Sequence, residues 1–127
     1  MFKSLDVFKA AHAMGKHAAA RQTVVAQNMA NADTPGYQAR DIKPFQEIYQ
    51  NDGGSGTMRA TRAGHHGSSL EASDMAPGLS TAEVSPNGNS VSVEEEMLKA
   101  VEIKRQHDRS VAIYKSSMSV LRTAISR

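Results

Sequence analysis

The adjacent histidines His65 and His66 are the side chains in this chain whose type and spacing most suggest chemistry. In a glycine-rich stretch they could hold a metal ion with a third ligand, but no carboxylate or histidine at helical spacing supports them. The run Glu94–Glu96 is better explained as the start of a helix, where the helix dipole favours carboxylates. The chain has no cysteine, no phosphate-binding loop and no G-x-S-x-G or paired zinc motif. The sequence therefore predicts no metal, no cofactor and no enzymatic activity.

Residues 28–37, which read N-M-A-N-A-D-T-P-G-Y, give the most specific local signal. Residues 34–37 fit a type II turn, because Pro35 ends the preceding helix and Gly36 supplies the positive φ that this turn needs. Asn28 and Asn31 lie three residues apart on one helix face, where their amides could bond neighbouring backbone or a partner, or could merely decorate the helix end. With no catalytic group present, this segment indicates assembly. The predicted assembly signature comprises Asn28, Asn31, Asp33, Thr34, Pro35, Gly36 and Tyr37.

Two long helical patterns, one at each end of the chain, must position this signature. The first runs from about Ser4 to Ala32, and the second starts at Ser92, which forms an S-x-x-E capping box with Glu95. In both patterns residues recur at alternating spacings of three and four, as in packed helices. Lys104 and His107 interrupt the second pattern, where polar residues can fix register or partner. The predicted helix seam comprises Phe8, Ala11, Ala18, Val25, Met29, Val93, Met97, Val111, Tyr114, Met118, Leu121 and Ile125.

The middle of the chain has a different composition. Seven of the nine glycines lie in residues 51–90, and the apolar residues there show no clear period, so this part cannot bury enough surface to offset its ordering entropy. We therefore divide the chain into an N-terminal helix (1–34), a turn and extended segment (35–50), a flexible Gly/Ser-rich insert (51–90) and a C-terminal helix (91–127). The segment 38–50 is expected to be extended or mixed and interrupted by Pro44, and a short strand is predicted near Met58–Ala63.

The predicted fold class is mainly α. The two long helices form an antiparallel, coiled-coil-like hairpin, and the loop-rich middle has room for a short β-hairpin. A two-helix hairpin covers one face of each helix only, so apolar residues such as Val7, Leu98 and Ile113 remain for neighbouring subunits. The net charge of +2, from 15 basic and 13 acidic residues, is too balanced to suggest a nucleic-acid partner. The N-terminus lacks a basic leader followed by an apolar run, so the sequence predicts no cleaved secretory signal.

The segment 26–37, A-Q-N-M-A-N-A-D-T-P-G-Y, resembles the signature of flagellar axial proteins, in which a helix ends with asparagines and then T-P-G-Y. Within that group the chain most resembles the FlgB family of rod proteins. Asp33, residues 38–42 and Phe45 fit the FlgB form of the signature, and Thr61 with His65 resembles an element of the middle region. Residues 86–97 resemble the turn that opens the C-terminal helix, and residues 121–125 resemble its end. The Gly/His-rich stretch 62–69 departs from the family pattern.

This resemblance implies a structural subunit of the proximal rod, which packs through its helices into the torque-transmitting shaft of the flagellar basal body. It implies export by the flagellar type III apparatus without a cleaved signal, and a place in the periplasm. The implied partners are copies of itself and the rod proteins FlgC, FliE and FlgF-like proteins, with the membrane-ring protein FliF nearby, and neither nucleic acid nor a small-molecule substrate. Two alternatives are a sister, FlgC-like rod protein and a soluble helical adaptor of a type III export system.

Overall fold

A computed structural model describes residues 2–52 and 75–126, and the side chains of residues 6–49 and 75–126. The chain begins and ends with a long helix, α1 (Phe2–Ala30) and α3 (Val93–Ile125). Between them in sequence lie the strand β1 (Arg40–Asp41), the short helix α2 (Phe45–Asp52) and the strand β2 (Gly78–Leu79). The described part is mainly helical, with the terminal helices packed together and a small antiparallel sheet formed by the middle of the chain, which confirms the predicted fold class.

Pairs of contacting residues show that α1 and α3 run antiparallel. Near one end of the hairpin Phe8 meets Tyr114 edge to face, with ring centroids 5.3 Å apart, and near the other Asn28 contacts Glu96. Between these ends Ala18, Val25 and Ile103 form a small buried cluster, against which Ala100 packs. Small residues allow the close approach: a Cβ added at Gly15 would lie 3.3 Å from the Ser110 hydroxyl oxygen.

The predicted N-cap of α3 is confirmed, which is one of the two bonds of a capping box. Ser92 is the N-cap, and its hydroxyl accepts from the Glu95 N–H at 3.5 Å. The buried residues of α3 are Glu96, Ile103 and Ser110, which follow each other at intervals of seven. The stripe that α3 buries in a single chain is therefore displaced from the predicted seam, and it contains two polar residues.

A second small core holds the segment after α1. Ile42 and Ile48 are buried against Val24 of α1, with Ala20 packed beside them. Residues 45–52 form a helix, so the part of the expected extended or mixed segment that follows Pro44 is helical and not extended. The Pro44 carbonyl accepts from the N–H groups of Glu47 and Ile48. Pro44 therefore directly precedes α2, at a position where the missing N–H of proline is not needed and its carbonyl accepts the first bonds of the helix.

The two strands pair antiparallel, with Arg40 opposite Leu79 and Asp41 opposite Gly78. They do not form a tight hairpin, because α2 and residues 53–77 separate them in sequence. The strand predicted near Met58–Ala63, like most of the predicted insert around it, lies outside the described residues. None of the helices in the described ranges is long and apolar enough to cross a membrane.

Candidate functional site

Two tight turns meet back to back where α1 ends and α3 is about to begin, and we call them the double turn (residues 34–37 and 85–89). In the first, the Tyr37 N–H donates to the Thr34 carbonyl and Gly36 has φ 74°, so the predicted turn geometry is confirmed. In the second, Gly88 has φ 81° and its N–H donates to the Ser85 carbonyl. The Gly36 N–H donates across to the Asn87 carbonyl at 3.1 Å. A Cβ at Gly88 would lie only 3.2 Å from the Gly36 Cα, so this contact depends on glycine.

Asn89, at the end of the second turn, binds the backbone of the residues that directly follow α1. Its amide nitrogen lies 2.8–2.9 Å from the carbonyl oxygens of Asn31, Ala32 and Thr34, and its amide oxygen accepts from the Val91 N–H at 2.7 Å. The residue is 2% exposed. The segment between α1 and the first turn is therefore held by a residue far away in sequence.

Asn28 is the most buried residue of the signature, with no exposed surface. Its amide nitrogen donates to the Arg40 carbonyl at 2.7 Å and to Glu96 Oε2 at 3.1 Å, and its amide oxygen accepts from the Arg40 N–H at 3.1 Å. The Tyr37 hydroxyl donates to the same oxygen at 3.3 Å. Asn28 therefore joins α1 to the start of β1 and to α3. Its amide pairs with the Arg40 N–H and carbonyl as the backbone of a neighbouring strand would.

Asn31 has a different role from Asn28. Its amide nitrogen donates to the Gln27 carbonyl of its own helix at 2.8 Å, and its amide oxygen accepts from the Thr34 hydroxyl. Both contacts are local and exposed. From their spacing of three residues the two asparagines could not be distinguished. In the structure Asn28 connects α1 to other segments, whereas Asn31 bonds only residues at the end of its own helix.

Four alternating charges continue from Asn28 along the junction between α1, β1 and α3, and we call them the ion-pair network (Arg21, Asp41, Lys99 and Glu96). Arg21 holds Asp41 through two hydrogen bonds of 2.9 Å. Lys99 lies 3.8 Å from Asp41 and 2.8 Å from Glu96, whose side chain is 2% exposed. Lys99 lies three residues after Glu96 on the same helix, and its side chain is largely covered, at 19% exposed. Two positive and two negative charges balance, which limits the cost of enclosing them.

Contact with each other shifts the pKa values of Arg21 and Asp41. Burial raises the pKa of Asp41, but the hydrogen bonds and the charge of Arg21 outweigh it, so the Asp41 pKa lies below its ordinary value. The hydrogen bonds with Asp41 in turn raise the pKa of Arg21. Both directions mean that the folded state favours the charged forms of Arg21 and Asp41.

We expect Asp41→Asn to lower the free energy of unfolding by about 1–2 kcal/mol at neutral pH, because charge-assisted hydrogen bonds are lost from a partly exposed site. Since the folded-state pKa of Asp41 is lowered, its contribution is present above about pH 4 and is lost as the pH falls through the folded-state value. Urea unfolding at neutral and acidic pH measures the difference. Asp108→Asn is the control, because that carboxylate is 68% exposed and has only a 3.9 Å contact with His107; an equal loss there would contradict the network.

His17 joins α1 to the segment before α2 and to α3. It is 1% exposed, its Nε2 lies 2.7 Å from the Lys43 carbonyl oxygen, and its Nδ1 lies 2.9 Å from the amide nitrogen of Gln106. These contacts are compatible with the neutral ring, in which Nε2–H donates and Nδ1 accepts. The ring also packs against Phe45, with centroids 5.6 Å apart. Burial lowers the pKa of His17; the Lys43 carbonyl and Asp41 oppose this, and Arg21 adds to it.

Acidification is expected to destabilise the fold through His17. The unfolded chain takes up a proton near the ordinary histidine pKa of about 6.5, whereas the folded chain does so only at lower pH. The stability that depends on neutral His17 is therefore complete above about pH 7 and declines as the pH falls through 6.5 towards the folded-state value. The measurement is the urea midpoint followed by circular dichroism, in the wild type and in His17→Gln. A variant with the same decline between about pH 7 and pH 5.5 would assign the effect to other groups.

The remaining predicted signature residues lie at the surface of the double turn. Asp33, Thr34, Pro35 and Gly36 are exposed, and Tyr37 is half-buried. Of the predicted seam, the buried members are Ala11, Ala18 and Val25, and the half-buried members are Phe8, Val111 and Leu121. The other members are exposed by 40% or more within one chain, namely Met29, Val93, Met97, Tyr114, Met118 and Ile125. Their role between subunits stays a prediction.

An apolar groove of about 480 Å³ follows the line where α1 and α3 meet. Ala18 and Ala19 line it from α1, and Ala100, Val101 and Ile103 line it from α3, with Gln22, Lys104 and His107 at its polar edge. Among the described residues no group of three histidine, aspartate or glutamate side chains could hold a metal ion. His65 and His66 lie outside the described residues.

Sequence reasoning missed most of the residues that hold this site together. Arg21 and Asp41 carried no local signal, and Glu96 resembled its two neighbours in a helix-start run. One available signal was the heptad interval that places Glu96 in the same stripe as Ile103 and Ser110. The turn at 86–89 had been recognised, and Gly88 has the positive φ of such a turn, but nothing in the sequence showed that Asn89 binds the residues after α1.

Comparison with known proteins agrees with this geometry. A family model described as "Flagella basal body rod protein" matches residues 16–38, the end of α1 and the first turn. A flagellar basal body rod protein FlgB of Agrobacterium fabrum is 33% identical over 127 residues, which cover 97% of this chain and 95% of that protein. The chain belongs to the FlgB family. The FlgB of Cereibacter sphaeroides ATCC 17029 is 34% identical over 120 residues, covering 88% of this chain and 92% of that protein.

Shorter similarity within the FlgB family reaches higher identity. The FlgB of Escherichia coli K12 is 67% identical over 30 residues, which cover 24% of this chain and 22% of that protein. The family match to residues 16–38 includes Asn28 and the turn at Gly36. The FlgB signature in this chain therefore coincides with the segment that supplies Asn28 and the first half of the double turn.

Proposed function

We propose that this chain is a structural subunit of the proximal part of the flagellar rod, and that its helices pack into the shaft that transmits torque. The observation that carries the proposal is the 33% identity with a basal-body rod protein over nearly the full length of both chains. The chain contributes shape and contact surface to the shaft and has no catalytic role. Its association with other rod components follows from membership of the FlgB family.

Exposed apolar side chains support a role in assembly. After α1 and α3 have packed together, large apolar residues remain exposed along α3, among them Leu98 at 68%, Val120 at 66% and Ile125 at 82%. A monomeric soluble protein rarely keeps so much apolar surface in series on one element. Neighbouring subunits in a shaft would cover these side chains, including the exposed members of the helix seam.

The double turn supports a second part of the proposal. It ties the end of α1 to the start of α3 through Asn28 and Asn89, and thereby fixes the direction in which residues 37–50 leave the hairpin. We propose that the exposed signature residues 33–36 contact the next subunit from this rigid base. The boundaries 1–34, 35–50, 51–90 and 91–127 serve as the units of this assembly.

We also propose which proteins surround the subunit and how it reaches its place. The neighbours are copies of this chain, FlgC, FliE and FlgF-like rod proteins, with the membrane-ring protein FliF nearby. The subunit reaches the periplasm through the flagellar type III apparatus. Family resemblance supports these assignments, and the chemistry of the described surface, apolar along α3 and without a concentrated basic face, is compatible with protein partners.

The test replaces the resident rod subunit with a tagged form of this chain and asks whether purified basal bodies contain it. We expect Val120→Lys with Ile125→Lys to abolish incorporation and motility, because buried charges would be left between subunits. Thr123→Lys, on the same exposed end of α3, is the matched control and should be tolerated much better. Absence of the tagged wild-type chain from basal bodies would overturn the proposed function.

A further inference from the structure

The dipeptide Asn87–Gly88 lies in the second half of the double turn and has a chemical reactivity of its own. Asn87 is the one asparagine in the sequence that is followed by a glycine. The backbone nitrogen of the next residue can attack an asparagine side-chain amide, and glycine obstructs this attack least because it has no Cβ. Asn87 is exposed, so water and hydroxide reach it. The pair therefore has the composition and the access that spontaneous deamidation needs.

The fold holds the two reacting groups in a conformation that prevents the attack. The Gly88 N–H donates to the Ser85 carbonyl at 2.8 Å, and the φ of Asn87 is not positive. Residues 85–88 therefore form a type I turn, in which the third residue has ψ near 0°. The attack needs the Gly88 nitrogen to eclipse the Asn87 Cβ, which requires a ψ about a third of a turn away from this value. Gly88 must also give up its hydrogen bond, because the attacking nitrogen loses its proton.

Contacts with a distant part of the chain keep this conformation in place. The Asn87 carbonyl accepts from the Gly36 N–H at 3.1 Å, and the Asn89 amide binds the carbonyls of Ala32 and Thr34. The Asn87 side chain is itself held, since its Oδ1 accepts from the Asn89 N–H at 3.1 Å. The protection of Asn87 therefore requires both halves of the double turn, and a chain in which they have not met lacks it.

We propose that Asn87 is a deamidation site of this chain, reactive while the double turn is open and protected once the double turn has formed. In the open chain the Gly88 nitrogen bonds to the Asn87 Cγ, and the bond between Cγ and Nδ2 breaks. The leaving nitrogen takes up the proton that Gly88 gives up and departs as ammonia. Water then opens the resulting succinimide at either carbonyl, which gives aspartate or isoaspartate. The reaction needs no neighbouring subunit and does not depend on the proposed function.

The two products differ in their effect on the double turn. Aspartate at position 87 keeps the main chain unchanged and retains an oxygen that accepts from the Asn89 N–H. Isoaspartate leads the main chain through the former side chain and adds a CH2 group to it, which displaces Gly88 and Asn89. The meeting of the turns has no room for this change, because even a Cβ at Gly88 would lie 3.2 Å from the Gly36 Cα. A chain with isoaspartate at position 87 therefore cannot close the double turn.

The rate of deamidation at Asn87 tests the protection. The purified chain and a synthetic peptide of residues 82–92 are kept at mildly alkaline pH with increasing trimethylamine oxide, an osmolyte that favours compact states. Peptide mapping by mass spectrometry gives the rate at each asparagine, and circular dichroism gives the helix content. As the helices form, Asn87 in the chain should react at least about tenfold more slowly than in the peptide, since only the open fraction reacts.

Two results would overturn the proposal. One is a rate at Asn87 that stays equal to that of the peptide while the helices form. The other is found in urea, where every asparagine is accessible and Asn87 should react first; faster deamidation at any other asparagine would assign the reactivity elsewhere.

Glycine variants show whether the double turn supplies the protection. At an osmolyte concentration that protects the wild type, Gly36→Val should bring the rate at Asn87 towards that of the peptide, because the partner of the Asn87 carbonyl is displaced. Gly78→Val is the matched control, since an added Cβ there meets nothing within 4 Å, and it should keep the slow rate. Full protection in the Gly36→Val variant would contradict the role of the double turn.

The products are tested by their ability to fold. The isoaspartate form, separated by chromatography, should need more osmolyte to form its helices than the unmodified chain, whereas Asn87→Asp should need the same amount. Asn87→Ser cannot form the succinimide, so this variant should fold equally well before and after prolonged incubation. If the isoaspartate form and the Asn87→Asp variant fold alike, the predicted damage to the double turn is wrong.

Discussion

Asn28→Leu is expected to lower the free energy of unfolding by about 3–5 kcal/mol, because the apolar side chain leaves several buried groups without partners. The Arg40 N–H and carbonyl and the Glu96 carboxylate all bond the Asn28 amide at 2.7–3.1 Å in a site with no exposed surface. Leucine has the same number of side-chain heavy atoms but a larger volume, so the loss combines the missing hydrogen bonds with some overpacking at this buried site. Urea unfolding followed by circular dichroism gives the magnitude, and basal-body incorporation gives the functional effect.

Asn31→Ala is the matched control, since it removes the same side-chain type three residues further along. Its amide bonds only the Gln27 carbonyl and the Thr34 hydroxyl, both at the surface, so the loss should stay under about 1 kcal/mol. Asn28→Asp adds a diagnostic, because it sets a second carboxylate beside Glu96 and should be less damaging in acid than at neutral pH. Equal losses for Asn28→Leu and Asn31→Ala would show that Asn28 does not connect the segments as described.

Gly36→Val is expected to abolish motility while α1 and α3 still form. Gly36 has φ 74°, and a β-branched residue in this region costs about 2 kcal/mol or more. Opening the turn would break the contact of the Gly36 N–H with the Asn87 carbonyl and displace Asn89 from the end of α1. Residues 37–50 would then leave the hairpin in a different direction. Motility in soft agar and the helical signal in circular dichroism measure the two effects separately.

Gly78→Val tests whether the effect belongs to the turn and not to a lost glycine. Gly78 lies in β2, an added Cβ there would meet nothing within 4 Å, and its φ is not positive. Valine is favourable in strands, so this variant should swim normally. Normal swimming by the Gly36→Val variant would show that the double turn is not needed for assembly.

Features that depend on short stretches of chain were predictable. Ser92 with Glu95 predicted the start of α3, and the Thr-Pro-Gly-Tyr sequence predicted the turn with positive φ at Gly36. Alternating spacings of three and four predicted both long helices. In each case the information is local, because a cap, a turn or a helical period is set by neighbours within a few residues. The segment after Pro44 was misjudged, since the same residue that interrupts a helix can also stand directly before one.

The stripe that α3 buries could not be predicted in the same way. A search for apolar periodicity favours Val93, Met97 and their successors, whereas the fold buries Glu96 and Ser110 beside Ile103. The predicted stripe and the buried stripe are shifted by one residue along the helix, as Met97 and Glu96 show. A search for apolar residues favours the less polar of two such stripes unless the partners of the polar residues are known. Those partners, Asn28 and Lys99 for Glu96, come from α1 and from the next turn of α3.

The sequence by itself determined the two terminal helices, the glycine turn and the signature of flagellar axial proteins, because these follow from local backbone preferences and residue order. Only the tertiary structure decided that Asn28 and not Asn31 joins the segments, that Asn89 holds the residues that follow α1, and that Arg21, Asp41, Lys99 and Glu96 form one network. Buried polar groups need partners from distant parts of the chain, and the identity of those partners is fixed only when the helices have met.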